Sequence, residues 1–362
     1  MKKSDKKRLW RFLQVEPSIA CNLRCVICPW KEISKKAQNR GLMSQKVWNS
    51  IRSYLSEVHS IDFTGGGEPL LQPKLEEWIA EAKAADCETG FLSNGLLLIK
   101  EKQQRILDAG VDWIGISIDG ATAEIYEKIR KGSHFERVCE NLAGIAELRT
   151  GKVPKIMINF VLTKLNFHQM QDIVRLADRL GVDQVNFKQC DVIRGKHGKG
   201  YGLFGREETK EIRRLIKSLG KARRLAKKLK ILTTTFFFTP EERSVCVQDP
   251  RSSMFICYDG TVAPCINLAI GGPATFLGKD VIIPSVYYGC LPEEDLMDLW
   301  QSETCKFYRQ RFEHRVQKHD ETIVNRLLGS SGSNRERTLQ MAREAMPEPP
   351  KGCNVCHYLY DI

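Results

Sequence analysis

Three cysteines stand within eight residues, Cys21-Asn-Leu-Arg-Cys25-Val-Ile-Cys28, spaced C-x3-C-x2-C. Thiolates hold iron–sulfur clusters, and a cubane takes four ligands. Three local thiols leave one iron open to another ligand, so the stretch suits chemistry as well as electron storage. Structural zinc more often uses C-x2-C pairs that close a tetrahedron, and isolated cysteines are often small core hydrophobes. The tight triple spacing favours the cluster. A second set lies far downstream. Cys246 is separated from Gly260 by thirteen residues, Cys265 follows Gly260 after four more, and Cys353-Asn-Val-Cys356 stands near the C-terminus. Tyr258-Asp-Gly260-Thr reads as a hairpin turn. Four thiols from a hairpin and a terminal C-x2-C can close a complete site, for a cluster or for zinc. Of the six remaining cysteines, Cys87 and Cys139 read as core residues and Cys305 as a helix residue. Cys290 carries no assignment, and Cys257, beside the hairpin, is the substitute if one of the four is not a ligand. Cys190 ends a strand on its polar side, at the catalytic mouth of a barrel; an ordinary buried cysteine is the competing reading.

The first triad resembles the C-x3-C-x-Φ-C signature of the radical S-adenosylmethionine (SAM) superfamily, with Ile27 at the apolar position. The resemblance implies that the amino and carboxylate groups of SAM chelate the open iron. It also implies that reduction yields a 5′-deoxyadenosyl radical that takes hydrogen from a substrate. Gly65-Gly66-Gly67-Glu68-Pro69 resembles the GGE motif of that family. This implies that the backbone of Gly66 and Gly67 receives the SAM amino group while Glu68 acts by orientation. Ser117-Ile-Asp119-Gly120 is similar to the strand-4 segment that reaches the SAM ribose or carboxylate, Ser117 first and Asp119 second. Arg130 is a carboxylate partner or a surface salt bridge, and Asn159 a ribose contact. Asn94, in Ser93-Asn94-Gly95, reads as a turn residue. The second cysteine set, with Leu277-Gly278 and the helix around Leu299-Trp300, resembles the SPASM extension. Only six residues follow Cys356 and none is cysteine, which implies the shortened twitch form with one auxiliary [4Fe–4S] cluster.

Positioning these groups requires a scaffold. Strand-like runs at Phe12–Glu16, Ser60–Thr64, Glu88–Ser93, Trp113–Asp119, Lys155–Leu162 and Gln184–Gln189 alternate with helical periods at Lys46–Val58, Pro73–Ala85, Lys100–Ala109, Glu136–Arg149 and His168–Leu180. Six β-α units predict an α/β fold, a partial (β/α)6 barrel, with a small C-terminal α+β auxiliary-cluster domain. The strands alternate polar with apolar residues where fully buried parallel strands are usually apolar throughout. Gln14 with Glu16, Asp62 with Thr64, Ser117 with Asp119, Asn159, and Asn186 with Lys188 and Cys190 would line a polar interior. The expected division is a basic arm at 1–11, a core barrel at 12–204, a basic helix and linking strand (Ile231–Thr239) at 205–245, and the auxiliary-cluster domain at 246–362. A helix is expected over Glu293–Phe312, and the Gly329-Ser-Ser-Gly-Ser-Asn run reads as a loop or linker.

The chain has 362 residues, 42% of them hydrophobic, and no apolar run long enough to span a bilayer. Without a signal peptide, thirteen cysteines argue for metal binding in the cytoplasm over disulfides. The net charge is +12, and it is concentrated. Residues 1–11 carry six basic residues against one acid, and 206–230 eleven against three, leaving the body near neutral. The absence of aromatics in 206–230 argues against single-stranded nucleic acid, and a solvated helix face is the plain reading. The leading expectation is an enzyme that oxidises, epimerises or rearranges a small polar molecule, fed electrons by a flavodoxin or ferredoxin. The resemblance extends, on the small-molecule side, to twitch dehydrogenases of aminoglycoside biosynthesis. The alternative is a peptide- or protein-modifying maturase. Only twenty residues precede Cys21, which leaves no room ahead of the barrel for the winged-helix domain such maturases often carry. A third class, a non-enzymatic electron carrier or RNA-associated protein, does not explain an open three-thiol site beside a GGE turn.

Overall fold

The computed structural model describes residues 8–30, 41–190, 193–194, 200–203, 209–236, 240–329 and 334–362. Most of the basic arm, the start of the basic segment and residues 330–333 of the Gly/Ser run lie outside the described residues.

Six parallel strands carry the alternation read above: β1 (Trp10–Val15), β2 (Val58–Asp62), β3 (Glu88–Ser93), β4 (Trp113–Ser117), β5 (Lys155–Leu162) and β6 (Gln184–Gln189). Between them run α1 (Gln45–Arg52), α2 (Leu75–Ala84), α3 (Lys100–Asp108), α4 (Ala123–Ile129), α5 (Phe135–Leu148) and α6 (Met170–Arg179). Period-two alternation sends Leu13, Ile61, Phe91, Ile114, Ile116, Ile156, Ile158, Val185 and Phe187 under the helices, where all are buried. The opposite face is polar and partly cross-linked. Gln14 donates to the Thr64 carbonyl at 3.0 Å, Thr234 to Asn186 at 2.6 Å, and Asn186 to Asn159 at 2.9 Å.

The sheet extends beyond these six. Two-residue β7 (Ile193–Arg194) is followed by helix α7 (Thr209–Leu229), then β8 (Leu232–Thr234), which adds parallel to β6. The predicted strand Ile231–Thr239 is thus only three residues long among the described ones, 237–239 lying outside them. Strand β9 (Ser253–Ile256) adds parallel to the far side of β1, Phe12 facing Ser253 and Val15 facing Ile256. Next come β10 (Thr261–Ala263), α8 (Ile266–Ile270), the hairpin β11 (Gly272–Phe276) and β12 (Lys279–Ile283), and β13 (Gly289–Cys290). The order is β13-β10-β9-β1-β2-β3-β4-β5-β6-β8, ten strands of which eight are parallel, with β12-β11-β7 as a separate small sheet.

The expected helix Glu293–Phe312 is two helices, α9 (Leu296–Gln301) and α10 (Glu303–Gly329). Ser302 breaks it, adopting an extended ψ of 151° while its Oγ accepts from the Cys305 N–H at 3.3 Å and starts the next helix. Helix α11 (Arg335–Glu344) and two short turns complete the chain.

Candidate functional site: two cysteine centres at the strand ends

The three N-terminal cysteines sit on the loop after β1. That loop is held at one side by backbone bonds from Arg24 to the Lys131 carbonyl (2.8 Å) and from Val26 to the Ile129 carbonyl (2.9 Å). Cys21, Cys25, Ile27 and Cys28 line a cavity of about 330 Å³ together with Gly66, Gly67, Glu68, Ser117, Arg130 and Cys190. These ten expected site residues, from five stretches of sequence, are brought together. Asp119 and Asn159 are not among the lining residues.

Each neighbour has a physical reason for its place. A Cβ on Gly67 would stand 2.4 Å from the carbonyl oxygens of Ser18 and Ala20, and one on Gly66 would stand 2.6 Å from Ile19 Cδ1. Only glycine lets this turn lie under the β1 loop with its backbone toward the cavity. The Glu68 carboxylate, buried, accepts from Ser93 Oγ (2.8 Å), the Asn94 N–H (2.8 Å) and the Leu70 N–H (3.1 Å). It is therefore engaged in shaping the turn. Burial pushes its pKa up, against these donors and Arg130. Asp119, fully buried, grips Arg130 through Nε and a terminal nitrogen at 2.7 Å each, and its other oxygen accepts from the Val161 N–H at 2.7 Å. Arg130 is thereby held at the wall. Asn94, expected as a turn residue, also reaches the cysteine loop, donating to Asn22 Oδ1 at 2.8 Å. Asn159 is buried, its Nδ2 lacking a partner among the described residues.

The second set also converges. Cys246, Cys265, Cys353 and Cys356 line one small cavity with Asn267 and Leu268. Asn267 Nδ2 lies 3.6 Å from Cys356 Sγ. Cys257 is not among the lining residues and packs instead with Phe255, Ala263, Ile266 and Ala269. Burial pushes the thiols up, Cys21 to about 12, Cys25 and Cys246 to about 11, and Cys265 and Cys353 well above the ordinary thiol range. Ligation by thiolate therefore needs a compensating cation.

Among the described residues, no three thiols lie within 4.8 Å of one another; the group that meets this limit is Glu127, His134 and Glu136. Thiols converging on one cavity are the donor set that an iron–sulfur cluster takes.

Residues 15–177 match the radical SAM superfamily, and residues 246–322 match the SPASM iron–sulfur cluster-binding domain. The chain belongs to the radical SAM superfamily and carries a SPASM domain. A "tungsten-containing aldehyde ferredoxin oxidoreductase cofactor-modifying protein" of Pyrococcus furiosus is 25% identical over 83% of this chain and 83% of its own length. Mycofactocin maturase MftC of Mycobacterium ulcerans is 32% identical, over 46% of this chain and 44% of its own. Crystalline Streptococcus suis SuiB bound to SAM shares the fold, with a TM-score of 0.62 at 16% identity over 83% of this chain and 68% of that one. No described helix is long and apolar enough to cross a membrane.

In this radical SAM enzyme the first three cysteines and the glycine turn fit an open [4Fe–4S] cluster with SAM, and the second set fits an auxiliary cluster. Thr64, expected on the polar interior, lines the cavity, and Trp30 and Tyr358, which carried no such expectation, line it too. Glu16 was read only as an interior polar residue, and it does more. Its Oε1 accepts from the Gly66 N–H at 2.6 Å and its Oε2 from the Tyr258 N–H at 3.2 Å, tying the glycine turn to the hairpin that leads to Cys265.

Burial outweighs both donors and lifts Glu16 from its usual range to about 7, and burial does the same for Asp62. A carboxyl raised on folding binds its proton more tightly in the native state. Its stabilisation is complete below about pH 4.5 and is lost as pH rises through about 7, on the order of 3 kcal/mol for Glu16. Thermal denaturation between about pH 5 and pH 8 is expected to show stability falling with pH, and Glu16→Gln to flatten the slope without abolishing it, because Asp62 remains.

Proposed function

We propose that this enzyme oxidises a small polar substrate held in the first cavity, with the second cysteine centre close enough to take part. One observation carries the reading: Tyr358 lines both the first cavity and the auxiliary one, so the two centres share a wall. When bound, the first cluster and SAM supply a radical that takes hydrogen atoms, and the auxiliary cluster supplies an electron acceptor. Cys21, Cys25 and Cys28 would hold the first cluster, and Cys246, Cys265, Cys353 and Cys356 the second. The backbone at Gly66 and Gly67 would receive the SAM amino group, Arg130, braced by Asp119, its carboxylate, and Ser117 its ribose. Asn159 lies behind that wall and would orient the interior through Asn186. Cys190, on the lining, is placed to return a hydrogen atom if the reaction is an epimerisation.

A peptide- or protein-modifying activity is the second reading. It draws on the likeness to MftC. Deuterium tracing separates the two. Reduced enzyme with SAM is incubated with the low-molecular-mass or the peptide fraction of a deuterated extract. Label in 5′-deoxyadenosine from the first fraction alone is the expected result; label from the peptide fraction alone transfers the assignment to the second reading.

A further inference from the structure

Helix α7 buries Leu215, Leu219, Ala222 and Ala226 and packs along α6. Its outer face is chemically one-sided. Between residues 212 and 230 there are nine Lys/Arg and no Asp or Glu, and all nine are exposed. Ordinary surface helices offset such charges with acids three or four residues away. Here Arg213, Lys217, Lys221, Arg224 and Lys228 follow at steps of four, four, three and four, a like-charged stripe. Each such pair opposes the helix by a few tenths of a kcal/mol. No acidic side chain of the described residues relieves it.

The stripe borders a groove of about 710 Å³ between the C-terminal half of α7 and β8, lined by Arg223, Arg224, Lys227, Lys230, Ile231 and Leu232. Among the described residues, strand β8 is the outer edge of the large sheet. Its Leu232 N–H bonds the Asp183 carbonyl, so the N–H and C=O of the next residue, Thr233, face the open side. Leu232 itself is 58% exposed. Four cations, an unpaired strand edge and an exposed leucine are the complement of an extended acidic peptide with an occasional apolar side chain. Among the described residues no aromatic side chain lines the groove, so these offer bases no stacking platform.

The geometry points to a docking site, on α7 and β8, for an acidic segment of a partner polypeptide. The inference goes beyond the proposed reaction and does not depend on it. Such a surface would hold the partner by its acidic segment, whichever substrate enters the cavity.

The test is binding without turnover, so its failure leaves the radical chemistry standing. Fluorescence anisotropy on the full chain uses a labelled Glu-rich peptide with interspersed leucines, its Gln-for-Glu counterpart, and a double-stranded RNA. The expected result is binding of the Glu peptide only, weakening about tenfold or more from low to physiological salt. Charge reversal at Arg223, Arg224 and Lys227 to Glu should abolish it, while Lys46→Glu with Lys100→Glu, away from the groove, should not. Should the reversed variant fail to fold by circular dichroism, the triple Gln variant carries the same expectation. Tighter binding of the RNA, equal binding of the Gln peptide, or insensitivity to both triple variants would overturn the inference.

Discussion

Cys25→Ala brings 5′-deoxyadenosine release to background and lowers iron in the anaerobically reconstituted protein from about eight to about four per chain. Cys25 shares the cavity wall with Cys21, Cys28 and Arg130, and no other described thiol except Cys190 faces that space. Cys190 stands at the end of β6, outside the loop that carries the triad, and cannot take its place without moving a strand. Loss of a mere supporting partner costs a metal site about 10- to 100-fold in affinity, so loss of a ligand costs more. SAM binding should fall with the cluster, because its amino acid end needs the vacant iron as well as the glycine turn. Continued release of 5′-deoxyadenosine by this variant would remove the triad from the chemistry.

Cys353→Ala separates the two centres. Cys353 is buried and lines only the auxiliary cavity. Iron should again fall to about four per chain. The first cavity keeps all its lining residues, so abortive cleavage of SAM should continue, while conversion of the true substrate stops. One mole of zinc per chain in the wild-type protein, with four irons, would contradict the auxiliary cluster. A variant that lost SAM cleavage as well would show that the centres are coupled through more than their common wall at Tyr358.

Much of this arrangement was readable from local signals. Strands β3, β5 and β6 occupy the residues expected of them, because alternation over five or more residues leaves one register with a buried face. The triad, the glycine turn and Ser117 assemble because each ends or follows a strand at the same end of the sheet. What escaped was non-local. Nothing near Ser253–Ile256 announces that it pairs with β1, some 240 residues earlier. The bond from Tyr258 to Glu16 and the approach of Tyr358 to the first cavity follow from that pairing and carry no motif of their own. Helix α4 was missed because it is seven residues long and buries only Tyr126 and Ile129, too short a stretch for a period to stand out.

The seat of β9 has a consequence for how the chain comes into being. A ribosome releases β1 first, yet its outer edge waits for a partner until residue 256 has been made. For most of synthesis that edge offers bare N–H and C=O groups, the kind of template on which other chains aggregate. A nascent fragment ending before Ser253 would keep the cysteine loop beside a half-paired strand. That edge is therefore covered only once the C-terminal half has been made.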